Sequence, residues 1–191
     1  MVDNNLVVID IGCGRRRRSG AIGIDQFPLP TVDIVADLEK GLPFLKDCSV
    51  DVVYADSFLE HVDNYEQLMR DIHRVCKPGA TIHVKVPHFS NPYYYSDYTH
   101  RRFFGLYTFD YFVARDHQKM KRIVPDYYAD FRFDIVDRSI SFYSPFKVRR
   151  LFKKLLTKLV NLNRYTQELY EENFCWLFPC YMLKFTLRPT K

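Results

Sequence analysis

The first half of the chain consists of short apolar runs separated by polar and glycine-containing segments. The runs at 7–11, 32–36, 49–54 and 81–86 are rich in β-branched residues. Nearly continuous apolar runs of this length are typical of strands that are covered on both faces, as in a parallel sheet. Between the third and fourth runs, apolar side chains recur at helical spacing: Tyr65, Leu68, Met69, Ile72, Val75 and Cys76. Strands alternating with helical patterns predict an α/β protein with a parallel sheet.

The ends of the predicted helix carry recognisable signals. Asp63 is a suitable N-cap, and Glu66 three residues later approximates a capping box. Lys77-Pro78-Gly79 ends the helix, because proline and glycine disfavour helix continuation. The run at 81–86 follows and is the fifth predicted strand, since a short run ending at Asp25 is the second. The spacing therefore predicts a helix from about residue 63 to 76.

A glycine turn follows the first strand. The pattern is Asp10-x-Gly12-x-Gly14, and Asp25 ends the next short apolar run, where its carboxylate can accept hydrogen bonds from ribose hydroxyls. Glycines without a Cβ let the backbone turn sharply and approach a ligand. A dinucleotide fingerprint needs a third glycine at the position of Arg17, so an NAD site is not indicated.

This turn resembles motif I of the class I S-adenosylmethionine-dependent methyltransferases, and further segments resemble that family in the right order over residues 6–104: 37–38, 41–44, 49–54, 58–61 and 74–79. The resemblance implies one Rossmann-like methyltransferase domain over 1–191, with S-adenosylmethionine as cofactor. The cofactor-binding residues that it implies are Asp10, Gly12, Cys13, Gly14, Asp25, Asp37, Leu38 and Ser57.

One departure from the family is the short connection after the glycine turn. Eight residues separate Gly14 from Gly23, so the first helix of the usual fold can be about one turn at most. The run Arg15–Arg18 is either a solvated loop or the source of an arginine that pairs with the cofactor carboxylate or an anionic substrate.

A lid insertion is predicted at about 87–125, after strand five, because ligands of open α/β sheets bind beyond the carboxyl ends of the strands. It resembles a segment of bacterial methyltransferases with an Asp-x-x-His element, here Asp97 to His100. The candidate catalytic residues are His100, Asp97 and His88, as a proton-accepting group; alternatively the histidines only tie the lid down. Their spacing is not diagnostic for metal ligands, so no metal site is predicted.

The tyrosines of this segment offer flat surfaces for stacking on a sugar or aromatic acceptor, or for packing the lid on its own domain. They are Tyr93, Tyr94, Tyr95 and Tyr98.

The last third predicts a strand–helix–strand unit at about 131–188, with its two strands as an antiparallel hairpin at the sheet edge. The intervening helix at 147–162 is basic and amphipathic. Its apolar stripe either packs on the sheet or lies near anionic lipid or a phosphate-bearing substrate. The stripe consists of Val148, Leu151, Phe152, Leu155, Leu159 and Leu162.

Composition and charge indicate where the protein is expected to act. The net charge is +5, and the five cysteines form no CxxC pair, as expected of reduced thiols in a cytoplasmic protein. The polar residues 1–5 do not resemble a signal peptide, and no apolar run approaches membrane-spanning length. We expect methyl transfer to an oxygen or nitrogen of a small or carrier-linked acceptor, such as a sugar or glycolipid. A non-catalytic cofactor-binding protein and an RNA methyltransferase or RNA-binding protein remain alternatives, although no RNA-binding module is recognisable.

Overall fold

The computed structural model describes residues 6–191, and over that range the chain forms a seven-stranded sheet flanked by helices. Residues 1–5, on which the expectation of no signal peptide rests, lie outside the described residues. The strands are β1 (Val8–Ile11), β2 (Ile22–Asp25), β3 (Ile34–Val35), β4 (Val50–Asp56), β5 (Cys76–Pro87), β6 (Arg132–Ser141) and β7 (Met182–Thr190).

The strand order is β3-β2-β1-β4-β5-β7-β6, which confirms the predicted Rossmann-like α/β sheet. The strands from β1 to β5 pair in parallel, whereas β7 is antiparallel to both β5 and β6. The chain reverses its direction of winding between β1 and β4, and such a switch point opens a crevice at the carboxyl ends of the strands.

The helices are α1 (Tyr65–Val75), α2 (Lys147–Val160) and α3 (Arg164–Asn173). Among the described residues, none of them is long and apolar enough to cross a membrane. The connection from β1 to β2 consists of turns, in agreement with the shortened first helix. The glycine turn is therefore followed by loop backbone at the crevice.

The start of α1 differs from the prediction. The N-cap is Asn64, and its side chain makes no capping hydrogen bond. The carboxylate of Glu39 instead accepts hydrogen bonds from the backbone N–H groups of Asp63 and Asn64, each at 2.8 Å. A carboxylate from the preceding 3-10 helix (Leu38–Lys40) thus occupies the place that the predicted Asp63–Glu66 capping box would have taken.

The long connection between β5 and β6 contributes to the core as well as to the crevice. Phe104 and Phe109 are buried, and the Phe109 ring lies 4.7 Å from that of Phe185 on β7. Phe104 contacts Tyr65 of α1 edge-on at 5.9 Å. The predicted lid is thus only partly a surface segment: its middle fills the space between α1 and the sheet, and its residues near 99–101 reach the crevice.

Helix α2 does not pack its apolar stripe on the sheet. Thr157 and Asn161 face β6, because Asn161 bonds both the N–H of Ile140 (2.8 Å) and its carbonyl (2.7 Å). At about 100° per residue, the stripe lies on the opposite side of the helix from these two residues. Every member of the stripe, from Val148 to Leu162, is accordingly half or more exposed.

Candidate functional site

The glycine turn leaves β1 at the carboxyl edge of the sheet, next to the first residues after β4. Gly12 has a φ of +64°, and a Cβ there would lie 2.2 Å from the ring of Phe58. Only glycine fits this backbone and this close approach. The turn is therefore built around Phe58, which the sequence did not single out as a site residue.

Two predicted carboxylates hold the turn in place. Asp25 accepts hydrogen bonds from the N–H groups of Gly14 (2.9 Å) and Phe27 (3.0 Å), one on each oxygen. Asp10 accepts from the N–H of Arg18 at 2.7 Å. Burial raises the pKa of Asp10, and the Arg18 N–H opposes this shift. Because a carboxylate oxygen accepts more than one hydrogen bond, Asp25 keeps capacity for ligand hydroxyls.

Two cavities meet at this turn and share Gly12 and Ser57. The first has a volume of about 490 Å³ and reaches from Asp25 and Asp37 towards the lid. The second has a volume of about 570 Å³ and extends over Arg15–Arg18. All eight residues that the sequence predicted to bind the cofactor line one or both cavities: Asp10, Gly12, Cys13, Gly14, Asp25, Asp37, Leu38 and Ser57.

Ser57 marks the junction of the two cavities with a strained backbone. Its φ is +56°, in the left-handed region that non-glycine residues rarely adopt. Its N–H donates to the carbonyl of Lys85 on β5 at 2.7 Å, which holds this conformation. Such strain clusters at ligand-binding sites, where the surrounding structure maintains it.

The second cavity is predominantly cationic. Lys85 and Arg18 both pair with Asp56, at 2.9 and 3.5 Å, and the Arg18 guanidinium lies 4.7 Å over the ring of Tyr54. Within residues 6–191, Arg15 and Arg16 form no ion pair. The cavity therefore has positive charge that its own carboxylates do not neutralise.

The predicted Asp97–His100 pair lies beside the first cavity but not in its wall. His100 Nε2 is 3.6 Å from Asp97 Oδ2, and the His100 ring is 4.8 Å from that of His61. His61 and Thr99 line the cavity in their place. Burial, followed by the nearby His100, lowers the pKa of His61.

Glu60 completes this group of side chains. It is 2% exposed, and its Oε2 atom has no hydrogen-bond partner within residues 6–191. Burial raises its pKa to about 8, and the carboxylates of Asp56 and Asp97 add to that shift. Its main-chain carbonyl accepts from the N–H of Arg101 at 2.7 Å and so ties the lid to the segment after β4.

His88, the third candidate catalytic residue, lines neither cavity. It is fully buried, and its ring nitrogens bond Ser90 Oγ at 2.8 Å and Glu171 of α3 at 3.0 Å. These contacts fix the start of the lid to α3. The structure thus brings Asp97 and His100 together with His61 and Glu60, and separates His88 from them.

Sequence reasoning did not assign Glu60, Lys85 or Asp56 to the site. The signal that could have found them is position: Asp56 and Glu60 follow the end of β4, and Lys85 is near the end of β5. Side chains at the carboxyl ends of neighbouring parallel strands meet at one edge of a sheet.

Residues 17–84 match the sequence model of a family described as a methyltransferase domain. No curated protein matches the chain in sequence.

Solved structures share the fold over nearly the whole chain. A SAM-dependent methyltransferase from Archaeoglobus fulgidus covers 97% of this chain and 86% of its own at 17% identity, with a TM-score of 0.55. The YcgJ protein from Bacillus subtilis covers 98% of this chain and 92% of its own at 14% identity, with a TM-score of 0.57. A third structure is 1,6-didemethyltoxoflavin-N1-methyltransferase from Burkholderia thailandensis, solved with 1,6-didemethyltoxoflavin and S-adenosylhomocysteine. It covers 97% of this chain and 71% of its own at 15% identity, with a TM-score of 0.55.

At these identities the solved structures establish the fold, and the family match adds the sequence pattern of the domain. The expected reaction, methyl transfer, agrees with the description of the matching family, and the similar protein from Archaeoglobus fulgidus is described as SAM-dependent. The chain therefore has the class I S-adenosylmethionine-dependent methyltransferase fold, and residues 17–84 match the sequence model of a methyltransferase domain.

Proposed function

We propose that this protein transfers the methyl group of S-adenosylmethionine to an oxygen or nitrogen of an anionic, small or carrier-linked acceptor. The observation that carries the proposal is the pair of cavities that meet at Gly12 and Ser57. Each has a volume in the range of small-molecule sites. Six of the eight predicted cofactor residues line the first cavity, whereas Asp10 and Cys13 line the second beside the cations, so a cofactor and an anionic acceptor can meet at the junction.

The residues present fit the cofactor. The Asp25 and Asp37 carboxylates can accept from ribose hydroxyls, and Leu38 and Phe58 offer apolar surface to a base. Asp10, in the second cavity, can accept from an ammonium group. Gly12 keeps the turn close to the junction, because a Cβ there would collide with Phe58. When bound, the cofactor supplies an activated methyl group.

The chain lowers the barrier mainly by positioning. The two cavities hold the two reactants in contact, and an acceptor atom about 3 Å from the methyl carbon in an in-line orientation reacts with a much smaller entropic cost. The acceptor also loses a proton. The proposal keeps His100 and Asp97 as the expected proton-accepting pair, with the His61 ring between them and the cavity.

The charge of the second cavity supports an acceptor with a phosphate or carboxylate group. Arg15 and Arg16 lie in its wall, and neither pairs with a carboxylate of the described part of the chain. An arginine guanidinium binds phosphate and carboxylate groups with two parallel hydrogen bonds. A sugar phosphate or a lipid-linked sugar has this chemistry. Exposed Tyr95 and Tyr98 on the lid offer flat surfaces for stacking on a sugar ring.

Helix α2 supports an acceptor at an anionic membrane surface. Phe152 of its exposed apolar stripe contacts Phe178, and the two residues before Phe178 in the chain, Trp176 and Leu177, are also exposed. Lys147, Lys154 and Lys158 lie beside the stripe, and the helix contains no acidic residue. A helix with this charge and an unburied apolar face binds in the interface of a bilayer that carries anionic lipid. The proposed occupant of this face is such a lipid surface.

Calorimetry with S-adenosylhomocysteine tests the cofactor site. The wild type should bind it, and Gly12→Ala should weaken binding by more than 10-fold, because the added Cβ displaces Phe58. Gly79→Ala is the matched control: Gly79 also has a positive φ, of +81°, but a Cβ there meets no neighbour within 4 Å. Gly79→Ala should bind like the wild type.

Two results would contradict the proposal. Absence of binding by the folded wild type at about millimolar ligand would exclude the cofactor site. Normal binding with no methyl transfer to any anionic sugar or lipid-linked acceptor would favour the non-catalytic cofactor-binding alternative.

A further inference from the structure

The group formed by Glu60, His61 and His100 has the composition of a metal site. One ligand atom from each residue lies within 4.8 Å of the other two. Glu60 and His61 belong to the 3-10 helix after β4 (Leu59–His61), whereas His100 comes from the lid. The fold thus brings a carboxylate and two imidazoles together from two segments that are distant in sequence.

The hydrogen bonds of the lid set the tautomer of His61. Thr99 Oγ1 donates its single hydrogen to Asp97 Oδ1 at 2.6 Å. The same oxygen lies 2.9 Å from His61 Nδ1, so in this contact His61 Nδ1–H is the donor. His61 Nε2 therefore carries a free lone pair.

A hydrogen bond also sets the tautomer of His100. Its Nδ1–H donates to the main-chain carbonyl of Tyr94 at 3.0 Å, which leaves Nε2 unprotonated in the neutral ring. The Asp97 oxygen at 3.6 Å is too far from this Nε2 for a hydrogen bond. Metal-binding histidines typically donate their second nitrogen to a carbonyl, a carboxylate or a group linked to one, and both rings show this arrangement.

Glu60 provides the second, independent observation. Its side chain is almost fully buried, and the Oε2 atom has no partner among the described residues. A buried carboxylate oxygen without a partner is costly, and native proteins rarely retain one without a functional reason. A cation bound between Glu60 and the two imidazoles would supply the missing partner.

We propose that Glu60, His61 and His100 bind one divalent transition-metal ion of the zinc type. Two imidazole nitrogens and one carboxylate suit such ions, whereas Mg²⁺ and Ca²⁺ prefer oxygen ligands. Metal–ligand bonds of about 2.0–2.1 Å at tetrahedral angles place the donors roughly 3.3 Å apart. The three residues therefore need to close by about 1.5 Å at most, within reach of rotamer adjustments and a small lid movement.

Three protein ligands leave a fourth position for water or an acceptor oxygen, as in catalytic zinc sites. His61 lines the first cavity, which shares Ser57 with the cavity proposed for the acceptor, so this position can face the junction of the two. An oxygen on such an ion loses its proton near neutral pH, so with His100 as a ligand the ion would promote deprotonation in place of the proton acceptance that the proposed function expects of His100. This consequence rests on the proposed function, whereas binding of the ion does not.

The test is titration of chelator-treated protein with Co²⁺, whose visible absorption reports a nitrogen- and oxygen-ligated site, followed by competition with Zn²⁺. We expect one Co²⁺ per chain in the wild type. Glu60→Gln, His61→Ala and His100→Ala should each weaken binding by at least 100-fold, and Thr99→Val by about 10-fold or more through loss of the contact that orients His61. His117→Ala is the matched control, since His117 is exposed and pairs with Asp134 away from the cluster.

The Glu60→Gln variant should remain folded, as measured by circular dichroism, because glutamine has nearly the same volume as glutamate and removes an unpartnered carboxylate. A change in its metal binding therefore cannot be attributed to unfolding. Failure of the folded wild type to bind Co²⁺ or Zn²⁺ at micromolar concentrations would overturn the inference. Equal binding by the wild type and the three ligand variants would also overturn it, as adventitious surface binding. S-adenosylhomocysteine binding measured on the same samples reports the proposed cofactor site separately.

Discussion

Removing apolar side chains from the exposed face of α2 should leave the stability of the protein unchanged but weaken its binding to vesicles. The perturbation is the double substitution Leu151→Ala and Leu155→Ala; these side chains are 75% and 54% exposed. If the face is free in solution, the double variant should unfold within about 0.5 kcal/mol of the wild type, as exposed substitutions do. If the stripe packed on the sheet, each Leu→Ala change would cost about 2–5 kcal/mol.

The magnitude for membrane binding follows from the exposed fractions. Leu→Ala removes three carbons, worth about 2.4 kcal/mol on full burial at ~0.8 kcal/mol per carbon. Scaling by 75% and 54% gives about 1.8 and 1.3 kcal/mol, or roughly 3 kcal/mol together. Complete insertion then predicts about 200-fold weaker binding to vesicles, and insertion to half depth about 10-fold.

The assay is co-sedimentation with vesicles of phosphatidylcholine containing about one third phosphatidylserine, beside vesicles of phosphatidylcholine alone. The wild type should bind the anionic vesicles more tightly, and salt should weaken that binding. Val35→Ala, an exposed apolar change on the edge strand β3, is the control and should bind like the wild type. Equal sedimentation of the wild type with both vesicle types, or a large loss of stability in the double variant, would refute the reasoning.

Four further predictions concern the cofactor, the reaction and stability. Asp25→Ala should weaken S-adenosylmethionine binding by roughly 1–3 kcal/mol, the range for a lost charged acceptor, as measured by calorimetry; unchanged affinity would contradict its role. His100→Ala should lower methyl transfer about 100-fold with nearly unchanged cofactor affinity, and a wild-type rate would make this residue structural. Gly41→Ala should lower the thermal midpoint by about 5 °C or more, because φ is +74° and a Cβ would lie 2.0 Å from Asp71 Oδ2. The Lys77 ammonium and the backbone N–H of Val7 lower the pKa of Asp51. The contribution of Asp51 to stability is therefore present above its unfolded pKa of 3.8 and is lost as the pH falls through the lower folded value. Asp51→Asn should abolish that part of the acid dependence in unfolding titrations.

The grouping of residues around the glycine turn could be predicted from the sequence because it is local. Gly12 and Gly14 follow β1 directly, Asp25 ends β2, and Asp37 and Leu38 follow β3. In a parallel sheet the strands place these positions at one edge without further information. The eight predicted residues therefore line the cavities, although the cap of α1 was assigned to the wrong residue.

The lid side could not be predicted in the same way. Thr99 and His61 are 38 residues apart, and their contact depends on how the lid folds back over the segment after β4. The sequence offered both His88 and His100 as candidates. Only the packing of α3 shows that His88 is enclosed by Ser90 and Glu171, away from the cavities.

By itself, the sequence determined the order of strands and helices, the glycine turn and the carboxylates beside it, because apolar periodicity and glycine chemistry act between near neighbours in the chain. The tertiary structure alone decided the side of α2 that faces the protein and the grouping of Glu60 with two histidines. The apolar stripe of α2 is compatible with packing on the sheet or with exposure. Two polar residues settle the orientation: Asn161 bonds the main chain of Ile140 on β6, and Thr157 accepts from the N–H of Phe142, directly after β6. Contacts of this kind join distant parts of the chain, and no periodic pattern in the sequence encodes them.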